Sequence, residues 1–332
     1  MIKRHSKSLI FLLIVILIPL ALQLAGVPIP TSKMTLIQIS CIYAIVAIGY
    51  NILLGFGGQI SLGHASFMGL GAYITGRLMV SYHMNFIIAI IIAALINAIL
   101  GFLLGLPALR LEGNYLAIAT LGFGVAMLKV FEEWTAFTGG HSGLVGIPAA
   151  TLFGFKFSTK LSKYYLILFF LVAVIIAAHN LLKTKPGRAL TAIRDSEIAA
   201  SSMGVNIAKY KTIAFIVSAV YASIGGSLMA IIDRQVFANV FGVSTSLNLL
   251  AMIVIGGIAS IPGSIIGAFF ITLIPEYLKV IPVVNASYIL TGVLLILAVM
   301  FFPYGIVQII NKIKSMIVGK GKSENIAGKE GA

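Results

Sequence analysis

Cysteine occurs once, as Cys41 inside an apolar run, so the chain carries no disulfide framework and no metal site built on thiolates. Acidic residues number nine and are scattered, without the spacing of a metal site, a catalytic triad or a carboxylate pair. A G-x-x-x-x-G-K-[ST] phosphate loop is missing as well. Charged residues make up only 10% of the 332, which excludes a soluble fold. Buried ionisable groups at mid-span are nearly lacking apart from His64 and Glu276, which argues against an ion-coupled carrier or a selective channel. An integral-membrane enzyme would need nucleophile, acid–base or metal residues gathered at one depth, and no such set is visible.

What is present in abundance is apolar: 60% of residues are hydrophobic and the mean hydropathy is +1.09. This is the composition of an all-α, polytopic membrane bundle. The net charge of +14 does not indicate nucleic acid, because basic residues cluster at the ends of apolar runs instead of covering one soluble face. Those runs lie at about 8–24, 34–54, 60–80, 86–106, 113–131, 164–182, 212–232, 247–261, 263–278 and 286–304. The first follows Lys3, Arg4 and Lys7 without a clear A-x-A cleavage site, so it reads as an uncleaved span. About ten transmembrane segments result, with both ends of the chain on one side. That side holds three basic residues before the first span, Arg110, six in the 183–211 interval and five in the 312–332 tail, fifteen of the 23. The positive-inside bias therefore makes it the cytoplasmic side.

The 183–211 interval is the longest polar stretch between two apolar runs. Pro186 and Gly187 are expected to stop the preceding helix. A single helix is expected over 189–203, with Ala189, Ala192, Ile193, Ala199, Ala200 and Met203 on one arc of about 120° and Arg194, Asp195 and Glu197 elsewhere. Gly204 is placed for a left-handed C-cap and Asn206 for the N-cap of the next helix.

Small residues four apart, at Ala65/Gly69, Ala72/Gly76, Gly101/Gly105, Ala222/Gly226 and Gly263/Gly267, predict close helix crossings. Two related elements, Gly57-Gly58-Gln-Ile-Ser61 and Gly256-Gly257-Ile-Ala-Ser260, open glycine-spaced segments, as interrupted helices do at transport pathways. Candidate pathway residues are Gln59, Ser61, His64, Ser66 and Ser260. Each can equally bond a neighbouring helix, and His64 can be a packing group. Glu276 is costly in an apolar run and can pair with Lys279. Arg110 and Glu112 read as interfacial, Asp233 and Arg234 as a solvated turn.

Four ordered motifs carry a resemblance: Gly-Gln59-Ile-Ser-Leu-Gly-His64-Ala; Leu109-Arg-Leu-Glu-Gly113-Asn-Tyr-Leu-Ala-Ile-Ala-Thr-Leu-Gly122-Phe-Gly; Thr138-Gly-Gly-His-Ser-Gly143; and Gly187-Arg-Ala-Leu-Thr-Ala-Ile-Arg-Asp-Ser-Glu197-Ile-Ala-Ala. Over roughly 36–302 the chain resembles the permeases of bacterial branched-chain amino acid ABC transporters, the M-type subunit more than its H-type partner. His141 stands where a serine or similar small residue is expected. The resemblance implies a single permease domain of the type II importer kind, multi-pass in the bacterial cytoplasmic membrane. It implies no cofactor in this chain: ATP would be bound by two cytoplasmic ATPase subunits. Further implied partners are an H-type permease and a periplasmic or lipid-anchored substrate-binding protein, the latter docking on the 132–163 loop; nucleic acid is not among them. The implied substrates are Leu, Ile or Val, with urea, amides and other amino acids carried by related permeases. By the same resemblance 183–211 is the cytoplasmic coupling loop, with Gly187, Arg188, Ala189, Ile193, Arg194, Asp195, Glu197, Ala200 and Gly204 as coupling residues.

Overall fold

The computed structural model describes residues 30–108, 114–152 and 154–278, together with 292 and 305. The expectations for 8–24 and 286–304, for Arg110, Glu112 and Lys279, and for the 312–332 tail lie outside these residues. Apolar sequence in lipid must satisfy its own backbone groups, and helices do so within one segment. The long helices are α1 (Thr31–Asn51), α2 (His64–Ser81), α3 (Phe86–Ala108), α4 (Asn114–Glu133) and α5 (Lys160–Lys183). After them come two short ones, α6 (Lys185–Asp195) and α7 (Glu197–Ser202), then α8 (Ile207–Asp233), α9 (Val243–Gly256) and α10 (Ile261–Leu278). Five segments among the described residues are long and apolar enough to cross a membrane: Thr31–Phe56, Phe86–Leu106, Tyr115–Glu133, Lys160–Lys183 and Ile207–Asp233. Val243–Gly256 and Ile261–Tyr277 are apolar but shorter. The chain is thus an all-α membrane protein, with two short strand pairs among the described residues. The run expected as a span over 60–80 becomes a helix only at His64, because residues 57–63 are not helical.

Helix α8 is the hub, packing against α1, α2 and α3. Its small residues make this possible. A Cβ on Gly226 would run into the Met68 carbonyl of α2, and one on Gly71 would strike Ser223 from the other side. Gly101 likewise meets α8, where an added Cβ would sit 2.9 Å from that of Ala219. Of the spaced pairs read from sequence, Gly263 and Gly267 bring α10 onto α9, where added side chains would collide with the backbone of Gly256 and Met252. Tyr50, Tyr73, Phe67, Phe86, Phe131 and Phe215 fill the space between the helices and are fully buried.

The two ends of α8 carry different structures. At its C-terminal end Lys163 Nζ donates to the Ile232 carbonyl (3.0 Å), and Arg234 Nε donates to that of Ile147 (3.0 Å). Leu144–Val145 pairs antiparallel with Gln235–Val236, and Thr151–Leu152 with Phe155–Lys156. Arg234 lies in an exposed turn just past α8, as expected, and its side chain also braces this loop cluster. At the N-terminal end of α8, Lys211 pairs with Glu197 at 2.5 Å. The 134–159 loop and the 184–206 loop therefore lie at opposite ends of the bundle.

Candidate functional site

The last residues of α1 meet two helix breaks. After Asn51 the helix widens into a π turn, Ile52–Phe56, and then stops at Gly57 and Gly58, the latter with φ 68°. Irregular backbone inside a bundle needs partners for every amide. Gly58 N and Gln59 N return to the Leu54 and Leu53 carbonyls (2.9 and 3.1 Å). The Tyr50 hydroxyl donates to the Ser61 carbonyl (2.7 Å), and Leu62 N donates to Thr120 Oγ1 of α4 (3.0 Å). Ala65 N, at the start of α2, donates to Ser246 Oγ of α9 (3.0 Å). The segment 59–66 is thus held by α1, α4, α8 and α9 together.

Side chains there are less well served. His64 is fully buried, stacks on Tyr50 with ring centroids 4.5 Å apart, and shares a 2.9 Å hydrogen bond through Nε2 with Ser218 Oγ. Ser66 Oγ donates to the Gly124 carbonyl (3.3 Å). Gln59 Oε1 and Nε2, Ser61 Oγ and His64 Nδ1, all buried, have no hydrogen-bond partner among the described residues. An unmade bond to a buried polar atom costs about 1–3 kcal/mol, so four of them within six residues mark this segment.

The second break follows α9. Gly257 adopts φ 127°, Ala259 φ 59°, and α10 begins at Ile261. Ser260 Oγ accepts from Gly263 N (3.1 Å) in the manner of a helix cap, so this candidate pathway side chain is turned to its own backbone. Asn51 closes the gap between the breaks. Its Oδ1 accepts from Ala259 N (3.0 Å), while Nδ2 donates to the Ser260 carbonyl (3.0 Å) and to Ser264 Oγ (2.7 Å). Gln59, Ser61, His64 and Ser66 are therefore brought together with Tyr50, Thr120, Ser218 and Ser246, and Ser260 lies on the Asn51 side. Sequence reading missed Tyr50, Asn51 and Thr120. A clue existed for Asn51: it is an amide near the end of an apolar run, four residues before Gly55.

The 183–211 loop differs from expectation. The preceding helix does stop just before Pro186, at Lys183, and Pro186 itself occupies the first turn of α6, where its missing amide costs nothing. The single helix expected over 189–203 is two, because Ser196 is extended (φ −164°, ψ 114°) and its Oγ caps Ala199 N (3.2 Å). Gly204 does take the left-handed conformation (φ 78°), and Asn206 Oδ1 does cap Lys209 N (3.0 Å). Gly187 permits a tight return, since a Cβ would strike the Leu182 backbone. Ala189, Ile193 and Ala200 are buried in this chain, whereas Ala192 and Ala199 are exposed. Ile198 and Met203, with 84% and 85% of their surface free, are the large apolar groups of this loop that face outward.

The loop's charges are mostly spent inside the chain. Arg188 donates to the Lys183 carbonyl (3.1 Å). Arg194 holds Asp195 at 2.8 Å and also donates to the Gly55 carbonyl (3.0 Å), at the first break. Glu197, expected off the apolar arc, pairs with the nearly buried Lys211. Glu197→Ala is expected to lower stability by about 1–2 kcal/mol. That exceeds the usual 0–1 kcal/mol of an exposed pair, since Lys211 stays buried, but solvent reaches Glu197 and keeps the loss below that of an enclosed pair. A fall in Tm of roughly 2–8 °C in detergent would match this; an unchanged Tm would contradict it. Among the described residues no group of three or more His, Cys, Asp or Glu could hold a metal ion.

Paired helix breaks, buried polar groups and a helical loop at one end suit a transport protein, and the comparison with known families decides which. The family described as "Branched-chain amino acid transport system / permease component" matches residues 34–299. The chain belongs to this permease family. The permease is 31% identical to the "High-affinity branched-chain amino acid transport system permease protein LivM" of Salmonella typhimurium, over 97% of this chain and 79% of that protein. It is 32% identical to the protein of that name from Escherichia coli K12, over 86% of this chain and 72% of that one. Identity to the LivH permease protein of Salmonella typhimurium is 23%, over 80% of this chain and 90% of that one. The likeness is thus to the M-type subunit, as the Gln59–His64 motif implies. No solved structure matches the permease.

Proposed function

We propose that this permease is the M-type membrane subunit of an ATP-driven importer that carries Leu, Ile and Val across the bacterial cytoplasmic membrane. The observation that carries this is the 184–206 loop. It sits at one end of α8, presents Ile198 and Met203 outward, and reaches the first helix break through Arg194. A helix pair of this kind takes up motion from a separate ATPase and passes it to the spans. The fold would be a type II importer of ten spans with both termini cytoplasmic, 8–24 and 286–304 supplying the first and last. An H-type permease completes the pathway, two ATPase subunits dock on the 184–206 loop, and a binding protein delivers substrate to the 134–159 end. That end has the turns for a docking platform: Gly139, Gly140 and Gly143 all take left-handed φ, and His141 and Trp134 face outward.

Uptake tests the reading directly. The full complex in proteoliposomes should accumulate radiolabelled leucine at least about tenfold over a control without ATP, with isoleucine and valine competing. Accumulation of urea or another amide in place of these would overturn the substrate. Accumulation that persists without ATPase subunits would overturn the importer.

A further inference from the structure

Asn51 is buried, fully bonded, and placed where three functional elements touch. Its neighbour Tyr50 holds the first break at Ser61, while Asn51 itself holds the second at Ala259, Ser260 and Ser264. One turn further along, Gly55 lies against the second break: a Cβ there would collide with Asn51 Oδ1 and come within 2.5 Å of Ala259 N. The carbonyl of that same glycine receives the Arg194 guanidinium from α6 (3.0 Å). Gly58 lies beside the Arg194 stem, 3.4 Å from its Cγ by an added Cβ. A continuous run of contacts therefore leads from the 184–206 loop through Arg194 and Gly55 to Asn51 and the α9–α10 break.

We propose that the two breaks form a gate at the loop end of the bundle, that Asn51 is the positioning residue that latches it shut, and that Arg194 links the latch to the loop. Two features separate a latch from a permanent staple. First, the two breaks are served unequally: Asn51 has every polar atom of its amide bonded, whereas four buried polar atoms of Gln59, Ser61 and His64 have no partner among the described residues. A second arrangement, with water or solute admitted beside residues 59–64, gives those atoms partners and offsets the loss of the Asn51 bonds. Second, both ends of the latch are helix termini interrupted by glycine, at Gly57-Gly58 and Gly256-Gly257, so separation needs a change at a few dihedral angles and leaves the helices intact. Arg194 donates to a main-chain carbonyl, so movement of α6 acts on the backbone of the break itself.

The gate rests on the import reading, and the experiment keeps the two apart. In the complete complex on a Cys41→Ala background, Asn51→Cys is combined with Ser264→Cys, whose native side chains touch at 2.7 Å. A short bifunctional methanethiosulfonate, which spans more than a direct disulfide, should join the pair and lower uptake at least about tenfold, and dithiothreitol should restore it. The reduced pair and Asn51→Ala should both hydrolyse ATP several-fold faster than the parent when substrate is absent, whereas Phe86→Leu, a packing change elsewhere in the bundle, should not, which separates a latch from mere loss of stability. Failure of the pair to cross-link, or full uptake after cross-linking, overturns the gate. A Cys41→Ala parent that imports none of leucine, isoleucine, valine and urea overturns the import reading and the gate with it.

Discussion

Gly226→Val is expected to prevent the permease from accumulating as a folded protein. Any side chain at this position enters the main chain of α2 at Met68, and neither backbone can yield, because Gly71 and Ser223 make the reciprocal contact in the same crossing. Overpacking a well-fitted site costs about 1–3 kcal/mol where side chains can adjust, so a collision with backbone should cost at least about 3 kcal/mol. That corresponds to a fall of roughly 10 °C in Tm. Gly122→Ala is the control: nothing lies within 4 Å of an added Cβ, and alanine favours helix by about 0.8–1 kcal/mol. Size-exclusion profiles and thermal unfolding in detergent check both. A well-folded Gly226→Val protein would show that α2 and α8 do not cross here.

The second large effect is expected at the 184–206 loop. Ile198→Asp with Met203→Asp should abolish stimulation of the ATPase subunits while leaving the permease folded. Both side chains are exposed, so changing them costs the isolated chain little, within about 0.5 kcal/mol. Burial against a partner is worth about 1.5–3 kcal/mol for each, so their joint loss should weaken ATPase binding by about a hundredfold or more. Trp134→Ala, at the opposite end of the bundle, should leave that affinity unchanged. Ala200→Trp would be a poor probe, because Ala200 packs inside the permease and the change would disturb α7 itself. Titration of ATPase subunits onto permease in nanodiscs decides the matter. Unchanged affinity and stimulation in the double variant would remove the loop from the ATPase interface.

The sequence alone determined that this chain is a helical membrane protein, roughly where its long helices run, and which family it resembles. These properties are local. Apolar length specifies a spanning helix wherever it occurs, and a glycine four residues from another small residue marks a close crossing before the partner is known, as Gly226 did. Gly204 and Asn206 behaved as expected because a left-handed residue and a helix cap are decided within a few residues of themselves. The break of the loop helix at Ser196 was also local, but two outcomes competed there: Ser196 can sit inside a helix or cap a new one, and the structure has it extended with its Oγ on Ala199 N.

Only the tertiary structure decided the partners. Asn51 and Ser260 are 209 positions apart, and Arg194 meets Gly55 across 139. No periodicity or propensity connects such pairs. They meet because α8, made thin by glycine and alanine, lets α1, α2 and α3 gather around it and brings the end of α1 against the α9–α10 break. The same assembly turned Glu197 from a surface charge into the partner of a buried lysine, and left Ile198 and Met203 facing outward. Charge and polarity are written in the sequence, but which groups remain free to act depends on what the packed helices have already bonded or buried.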